Sequence, residues 1–310
     1  VAYYTVGMSC EPVAIVGPTA SGKSDLSLDV CELVGGEVVN MDSMQLYRGM
    51  DIGTAKVPVE ERRGIAHHLL DIWDVTQEAS VQRYQYVAEE TINELRGRGV
   101  RPVLVGGSMM YYQSLVDAWR FPPTDAAVRS RWEKRGEEIG VQALHAELAQ
   151  QDPEAARIIE QNDLRRTVRA LEVIELTGRP YAASMPTRRA TPRWGMRVVG
   201  LATETEWLNP RIEKRSRQMF ATGLVEETRS LVEQGLTRES TAGRAIGYAQ
   251  VLDMDAGLLS PDEAVERTIT GTRRYVRRQR SWFKRDPRIT WFPAQTVDAE
   301  RVCEALHLGA

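Results

Sequence analysis

Cysteine is nearly absent: the 310 residues hold only Cys10, Cys31 and Cys303, far apart and without C-x-x-C spacing. An odd, scattered set excludes a disulfide framework and a structural zinc site, and it fits free thiols in a reducing compartment, the cytoplasm. Long apolar runs are missing too, which excludes a membrane-spanning helix. Residues 1–9 lack the basic end and apolar stretch of a signal peptide and read as a loose tail, with Met8 nearer the true beginning. Neither an internal repeat nor a low-complexity tract is present. Net charge is only −3, so the average gives no hint of a polyanionic partner. What remains is an ordinary globular composition, 42% hydrophobic and 27% charged, with length for one large domain or two unequal ones.

Gly17-Pro18-Thr19-Ala20-Ser21-Gly22-Lys23-Ser24 fills every fixed position of the P-loop pattern G-x-x-x-x-G-K-[ST]. The apolar run Val13–Val16 before it reads as a buried strand, and Leu26, Leu28 and Val30 after it begin a helix. In that context the backbone N–H groups of the loop cradle phosphate oxygens at the positive end of the helix dipole. Lys23 would reach the terminal phosphate and the Ser24 hydroxyl would sit on Mg²⁺. The chain is expected to bind a di- or triphosphate.

Further short apolar runs alternate with helical patterns: 37–39 leading into Asp42, Val103–Val105, Val198–Leu201 and 288–292, with a helix over Val81–Leu95 ending at Gly97. This predicts an α/β fold with a parallel sheet covered on both faces. Ligands then gather at the carboxyl ends of the strands. The Gly17 loop, the turn Asp42-Ser43-Met44-Gln45 and Gly106-Gly107-Ser108 should therefore meet at one edge. From Phe121-Pro122-Pro123 onward the strand signal vanishes, and helices are expected over 126–139, 141–150, 153–160 and 163–177. The division is a core of residues 10–120 and 196–310 around a helical insertion, 121–195. One amphipathic helix is expected over 210–233 and another, basic, over 265–285.

Several residues allow two readings. Asp42 is either an acidic helix cap or a sheet-edge carboxylate that holds a metal through water or accepts a proton. Gly106-Gly107-Ser108 is either a tight turn or a ligand-facing hydroxyl. Adjacent His67 and His68 have no further ligands spaced for a metal, so one packed and one solvent-facing imidazole is expected. Around the last predicted helix lies the chain's strongest charge asymmetry. Arg267, Arg273, Arg274, Arg277, Arg278, Arg280, Lys284, Arg285 and Arg288 face few acidic residues, with Tyr275, Trp282 and Phe283 interleaved. Arginine beside aromatics grips phosphates and stacks on unpaired bases, so an RNA or nucleotide partner is favoured.

Taken together, the P-loop, Asp42 to Arg48, Asp51-Ile52-Gly53-Thr54-Ala55-Lys56, His67-His68-Leu69, Val105 to Ser108, Arg169 to Val173, Arg244-Ala245-Ile246-Gly247-Tyr248 and Arg278-Gln279 with Trp282-Phe283 resemble one family. It is that of the tRNA dimethylallyltransferases (isopentenyl transferases), and the match runs over nearly the whole chain. The resemblance implies a P-loop NTPase-like core with a mobile helical insertion that contacts tRNA. It also implies a phosphate loop, Gly17 to Ser24 with Arg244, that holds dimethylallyl diphosphate rather than ATP. Transfer to N6 of the adenosine 3′ of a tRNA anticodon would use Asp42 as general base, with Lys23 and Ser108 also catalytic. Asp42, Ser43, Met44, Gln45, Ser108, Arg165, Arg166, Arg169, Arg244, Gly247, Tyr248, Arg277, Arg278, Gln279, Arg280 and Lys284 would line the tRNA path. Two departures stand out: Ser108 replaces a threonine, and the family's Asn-Asp-Pro-Gln-Arg is here Asn162-Asp163-Leu164-Arg165-Arg166. The zinc-finger tail of eukaryotic relatives is missing, which implies a bacterial-type enzyme, expected to be a monomer. The rival readings are an ATP-dependent small-molecule kinase, which leaves the arginine–aromatic helix unexplained, and an RNA-binding GTPase-like module, which lacks an N-K-x-D element.

Overall fold

The computed structural model describes residues 10–182 and 189–308, so the tail expected over residues 1–9 lies outside the described residues. The chain divides into two compact units, Val1–Val116 with Ala190–Ala310, and Asp117–Arg189.

In the first unit, β1 (Val13–Val16) leads through the glycine loop to α1 (Lys23–Val34) and β2 (Gly36–Asn40). A long excursion then reaches β3 (His67–His68), α2 (Val81–Gly97), β4 (Arg101–Gly106) and α3 (Met109–Val116). The strands form one parallel sheet that is completed after the second unit, in the order β3-β2-β4-β1-β5-β6. Side chains alternate across such a sheet, and both faces are covered. Val13 and Ile15 enter one core with Val30, Val34 and Val302, while Ala14 and Val16 enter the other with Tyr84, Ile92 and Leu115. That two-sided burial is why β1 reads as a continuous apolar run rather than an alternating one.

β3 was not expected. It is two residues long, held by the register Val38↔His67 and Val39↔His68. The histidine expectation is corrected with it: both rings are half-buried and partnered. His67 Nδ1 lies 2.9 Å from the Ile65 carbonyl, and His68 Nε2 lies 2.6 Å from Glu37 Oε2.

Among its described residues the second unit holds the α-helices α4 (Ala126–Ile139), α5 (Val141–Gln151), α6 (Pro153–Ile158) and α7 (Leu164–Thr177). Asp125, Asp152 and Asp163 cap α4, α6 and α7 through backbone N–H groups of the first turn. The unit has its own core of Leu144, Leu148, Ile159, Val168 and Leu171.

The first unit resumes with β5 (Arg197–Ala202), α8 (Thr205–Ala221), α9 (Leu224–Glu233) and α10 (Tyr248–Asp255). It closes with α11 (Pro261–Phe283), β6 (Ile289–Pro293) and α12 (Ala299–Ala305). The single helix expected over 210–233 is two. Gly223, at φ 115, breaks it between α8 and α9, a backbone angle that side chains other than glycine rarely adopt. The first half also starts earlier, at Thr205, which leaves Pro210 inside it.

Candidate active site

All three strand-end segments named from the sequence reach the same carboxyl edge of the sheet. Thr19 to Asp25, Asp42 to Gln45, and Gly106 with Gly107 line one cavity of about 770 Å³. The opposite walls come from α8 and α11 and from two loops, 53–58 and 244–246.

The glycine loop is built for an anion. Ala20 and Gly22 have φ of 62° and 90°, and Gly22 caps α1 without a side-chain bond. A left-handed alanine costs about 1–2 kcal/mol, strain of the kind that collects at functional sites. The Ser21 hydroxyl is buried and, among the described residues, has no hydrogen-bond partner, although it lies in the cavity lining. Lys23 Nζ donates to the Pro18 carbonyl at 2.6 Å. Crowding by protein, then the nearby Arg215 charge, lowers the Lys23 pKa to about 8 against the opposing pull of Asp42. A cation so poorly solvated gains from meeting a phosphate.

Asp42 satisfies both sequence readings at once. Its Oδ1 accepts the Met44 N–H at 2.9 Å, which is the cap-like bond, and among the described residues Oδ2 has no hydrogen-bond partner. Asn40 supports the turn from below, with Oδ1 accepting the Asp42 N–H at 2.9 Å and Nδ2 donating to the Asp42 carbonyl at 3.0 Å. The negative charge of Asp42 raises the proton affinity of Lys23, Arg215 and Tyr275, which places all three around it.

Ser108 is buried and acts on this turn rather than on the cavity. Its Oγ accepts the Ser43 N–H at 2.9 Å and donates to Ser43 Oγ at 3.2 Å. Gln279 is likewise buried and bridging: Nε2 donates to the Gly107 carbonyl at 2.9 Å while Oε1 accepts the Thr19 N–H at 3.2 Å. One amide thus ties α11, the glycine loop and the β4 turn together. Gly107 must be glycine for this, because a Cβ there would collide with Gln279 Nε2. Gly107→Ala is expected to cost about 1–3 kcal/mol by overpacking a dense site, readable as a lowered denaturant midpoint.

The remaining predicted residues divide by exposure. Arg244 and Arg278 line the cavity and are exposed, and Arg278 stacks 5.7 Å over the Tyr275 ring. Arg277 and Lys284 are exposed on α11 outside the cavity lining. Arg280 is occupied, donating to the hydroxyls of Thr203 and Thr205, and Arg273 pairs with Glu213 of α8 at 3.1 Å. Part of the basic run is therefore neutralised across the fold rather than by an anionic partner. Gly247 and Tyr248 are corrected from the tRNA path: both are buried, and Tyr248 donates to Glu227 Oε1 at 2.5 Å. In the helical unit, Arg165 and Arg166 are exposed. Arg169 is spent on structure, bonding the Pro122 and Pro123 carbonyls and the fully buried Glu172.

Arg215 is the residue sequence reasoning missed. It lies in the cavity lining on α8, where burial lowers its pKa and Asp42 opposes the shift, and among the described residues it has no hydrogen-bond partner. The available signal was a cation inside the stripe Ile212, Arg215, Met219 of an amphipathic helix. Arg211 and Lys214 extend the positive wall.

For Mg²⁺ the test is the donor set. Among the described residues no cluster of three His, Cys, Asp or Glu could hold a metal. Ser24 and Asp42 line the cavity beside the anion loop. Mg²⁺ keeps several waters and takes one or two protein ligands plus phosphate oxygens, so these residues fit it.

A parallel α/β sheet whose first strand feeds an anion-cradling glycine loop, with a carboxylate at the end of the next strand, defines a P-loop NTPase-like protein that handles phosphates. Within that class the chain belongs to the IPP transferase family, whose model matches residues 45–286. It is 65% identical over 297 residues to a tRNA dimethylallyltransferase of Corynebacterium jeikeium, covering 96% of each chain. A solved full-length tRNA isopentenylpyrophosphate transferase from Bacillus halodurans superposes with TM-score 0.70 at 38% identity, over 96% of this chain and 94% of that one. A eukaryotic dimethylallyltransferase solved acting on tRNA gives TM-score 0.82 at 26% identity, over 94% of this chain and 77% of that one.

Proposed function

We propose that this enzyme transfers the dimethylallyl group of dimethylallyl diphosphate to N6 of the adenosine 3′ of a tRNA anticodon. The observation that carries the reading is one cavity holding both an anion loop ringed by cations and a carboxylate with a free oxygen. A kinase would share the loop and could share such a base, but it leaves the arginine–aromatic face of α11 without a role, and the relatives at more than 60% identity are tRNA dimethylallyltransferases.

Adenine N6 is a weak nucleophile because its lone pair is shared with the ring. As N6 bonds the allylic carbon, the bond from that carbon to the diphosphate oxygen breaks, and N6 loses a proton. Oδ2 of Asp42 takes that proton. The leaving diphosphate keeps the electron pair and is stabilised by the loop N–H groups, the Ser21 hydroxyl, Lys23, Arg215 and Arg244. Mg²⁺ held by Ser24 would supply further positive charge to the leaving group. Ser108 and Gln279 position Asp42 and the loop. The exposed Arg277, Arg278, Lys284, Arg165 and Arg166 offer salt-sensitive phosphate contacts to the anticodon stem and loop. An unpaired loop base is cheaper to draw into a cavity than a duplex one.

The same reading takes the enzyme to be a monomer of the cytoplasm, a reducing compartment that suits three scattered cysteines without C-x-x-C spacing. Among the described residues no helix is long and apolar enough to cross a membrane. The deciding assay incubates unmodified tRNA with labelled dimethylallyl diphosphate or labelled ATP, then analyses the nucleosides. Prenylated adenosine is expected; brisk ATP turnover with no prenylation would replace this reading with a phosphotransferase.

A further inference from the structure

Two of the sequence patterns, Asp51 to Lys56 and Arg244 to Tyr248, play no part in the chemistry above beyond Arg244, and the fold joins them through a residue in neither. Glu227, in the first turn of α9, accepts three successive backbone N–H groups: those of Asp51 at 3.1 Å, Ile52 at 2.8 Å and Gly53 at 3.2 Å. Tyr248 donates its hydroxyl to the same carboxylate at 2.5 Å. Burial, then the Glu227 charge, pushes the Tyr248 phenol far above its ordinary range, so it remains a donor. Gly53 leaves room for this ring, since a Cβ there would lie 2.6 Å from Tyr248 Cζ and 2.8 Å from Leu224 Cδ1.

The segment so held is a wall of the cavity, through Gly53, Thr54, Ala55 and Lys56. Its far end is fixed by Lys56, whose side chain is 3% exposed and bonds Asp51, Asp71 and the Tyr47 carbonyl. Its middle is fixed by Gln45, whose Nε2 donates to the Thr54 carbonyl at 3.0 Å. Gln45 belongs to the Asp42 turn. The wall and the base are therefore parts of one hydrogen-bonded frame, and the carboxylate of Glu227 holds its outer side. A wall that needed only solvated N–H groups could have left them to water. Charge-assisted bonds from a single carboxylate fix its position instead.

We propose that Glu227, capped by Tyr248, is a positioning residue that sets the wall of the donor cavity and thereby which allylic tail the site admits. This rests on the reading of the cavity as an isoprenoid diphosphate site. The test compares the wild type with Glu227→Ala, Glu227→Gln and Gly53→Ala, on tRNA transcript with dimethylallyl or geranyl diphosphate, with thermal melting alongside. Glu227→Ala is expected to lower kcat/KM for dimethylallyl diphosphate about 100-fold, the scale of a displaced site. The geranyl-to-dimethylallyl ratio should rise about tenfold, the scale on which a pocket discriminates added methylenes. Glu227→Gln keeps the shape but turns an NH₂ group toward N–H donors, and should move the ratio the same way by less. Gly53→Ala should reproduce the change with Glu227 intact. A wild-type ratio in all three variants, whatever their melting temperatures, would overturn the inference while leaving the transferase reading in place. Failure of the wild type itself to transfer either group would overturn both.

Discussion

Replacing Asp42 by asparagine is expected to lower kcat for prenyl transfer by about 10²–10⁴-fold, the usual contribution of a general base, with tRNA affinity little changed. Asparagine is the informative substitution because Asp42 does two jobs with different oxygens. Oδ1 holds the turn by accepting the Met44 N–H, and an amide oxygen can do that as well. Oδ2 is the free oxygen, and only there does the amide fail, having no lone pair of comparable basicity. Asp42→Ala loses both, so the difference between the two variants measures what the turn contributes. Single-turnover prenylation together with a tRNA binding titration reads both quantities. Full activity in Asp42→Asn would remove this residue from the base role.

The parallel sheet was legible because its central strands are buried on both faces. Such strands must be written in Val, Ile and Leu, as Val13–Val16 and Val103–Val105 are. β3 carries no such signature, because an edge strand of two residues is held by its register with β2 and not by its own side chains. The convergence of Asp42, the glycine loop and Gly106 also followed from the sequence, since strand ends in a parallel sheet share an edge. What the sequence could not show is which members of a motif face the cavity. Tyr248 and Gly247 sit in the same pattern as Arg244, yet they turn into the core while Arg244 turns out. Long-range partners were hidden for the same reason. Glu213 neutralises Arg273 from another helix, and Glu227 meets the wall segment from a distant part of the chain. Local spacing rules see only i+3 and i+4 neighbours, so the basic face of α11 looked less compensated than it is.

The cation pair at the glycine loop gives the second large expected effect. Lys23→Met and Arg215→Gln should each lower kcat/KM for the donor by about 10²–10³-fold, the scale on which removing a group aimed at developing negative charge is felt. Their combined loss should fall short of the product, because the two cations share one site and the Arg215 charge is among the causes that lower the Lys23 pKa. With Arg215 neutral, Lys23 in the remaining site becomes easier to protonate. The pH dependence separates the two residues. In the free enzyme the Lys23 ammonium is present below about pH 8 and is lost as pH rises through that value. A bound diphosphate favours the charged form, so donor binding above pH 8 must take up a proton, and affinity should fall by up to about tenfold per pH unit there. Lys23→Met should bind weakly but without that slope, whereas Arg215→Gln should retain the slope and shift its onset to higher pH. Donor KM followed from pH 7 to 10, with calorimetry in two buffers of different ionisation enthalpy, tests this directly. A wild-type affinity flat across that range would show that Lys23 stays fully protonated, and its crowding by the loop would then carry no consequence for donor binding.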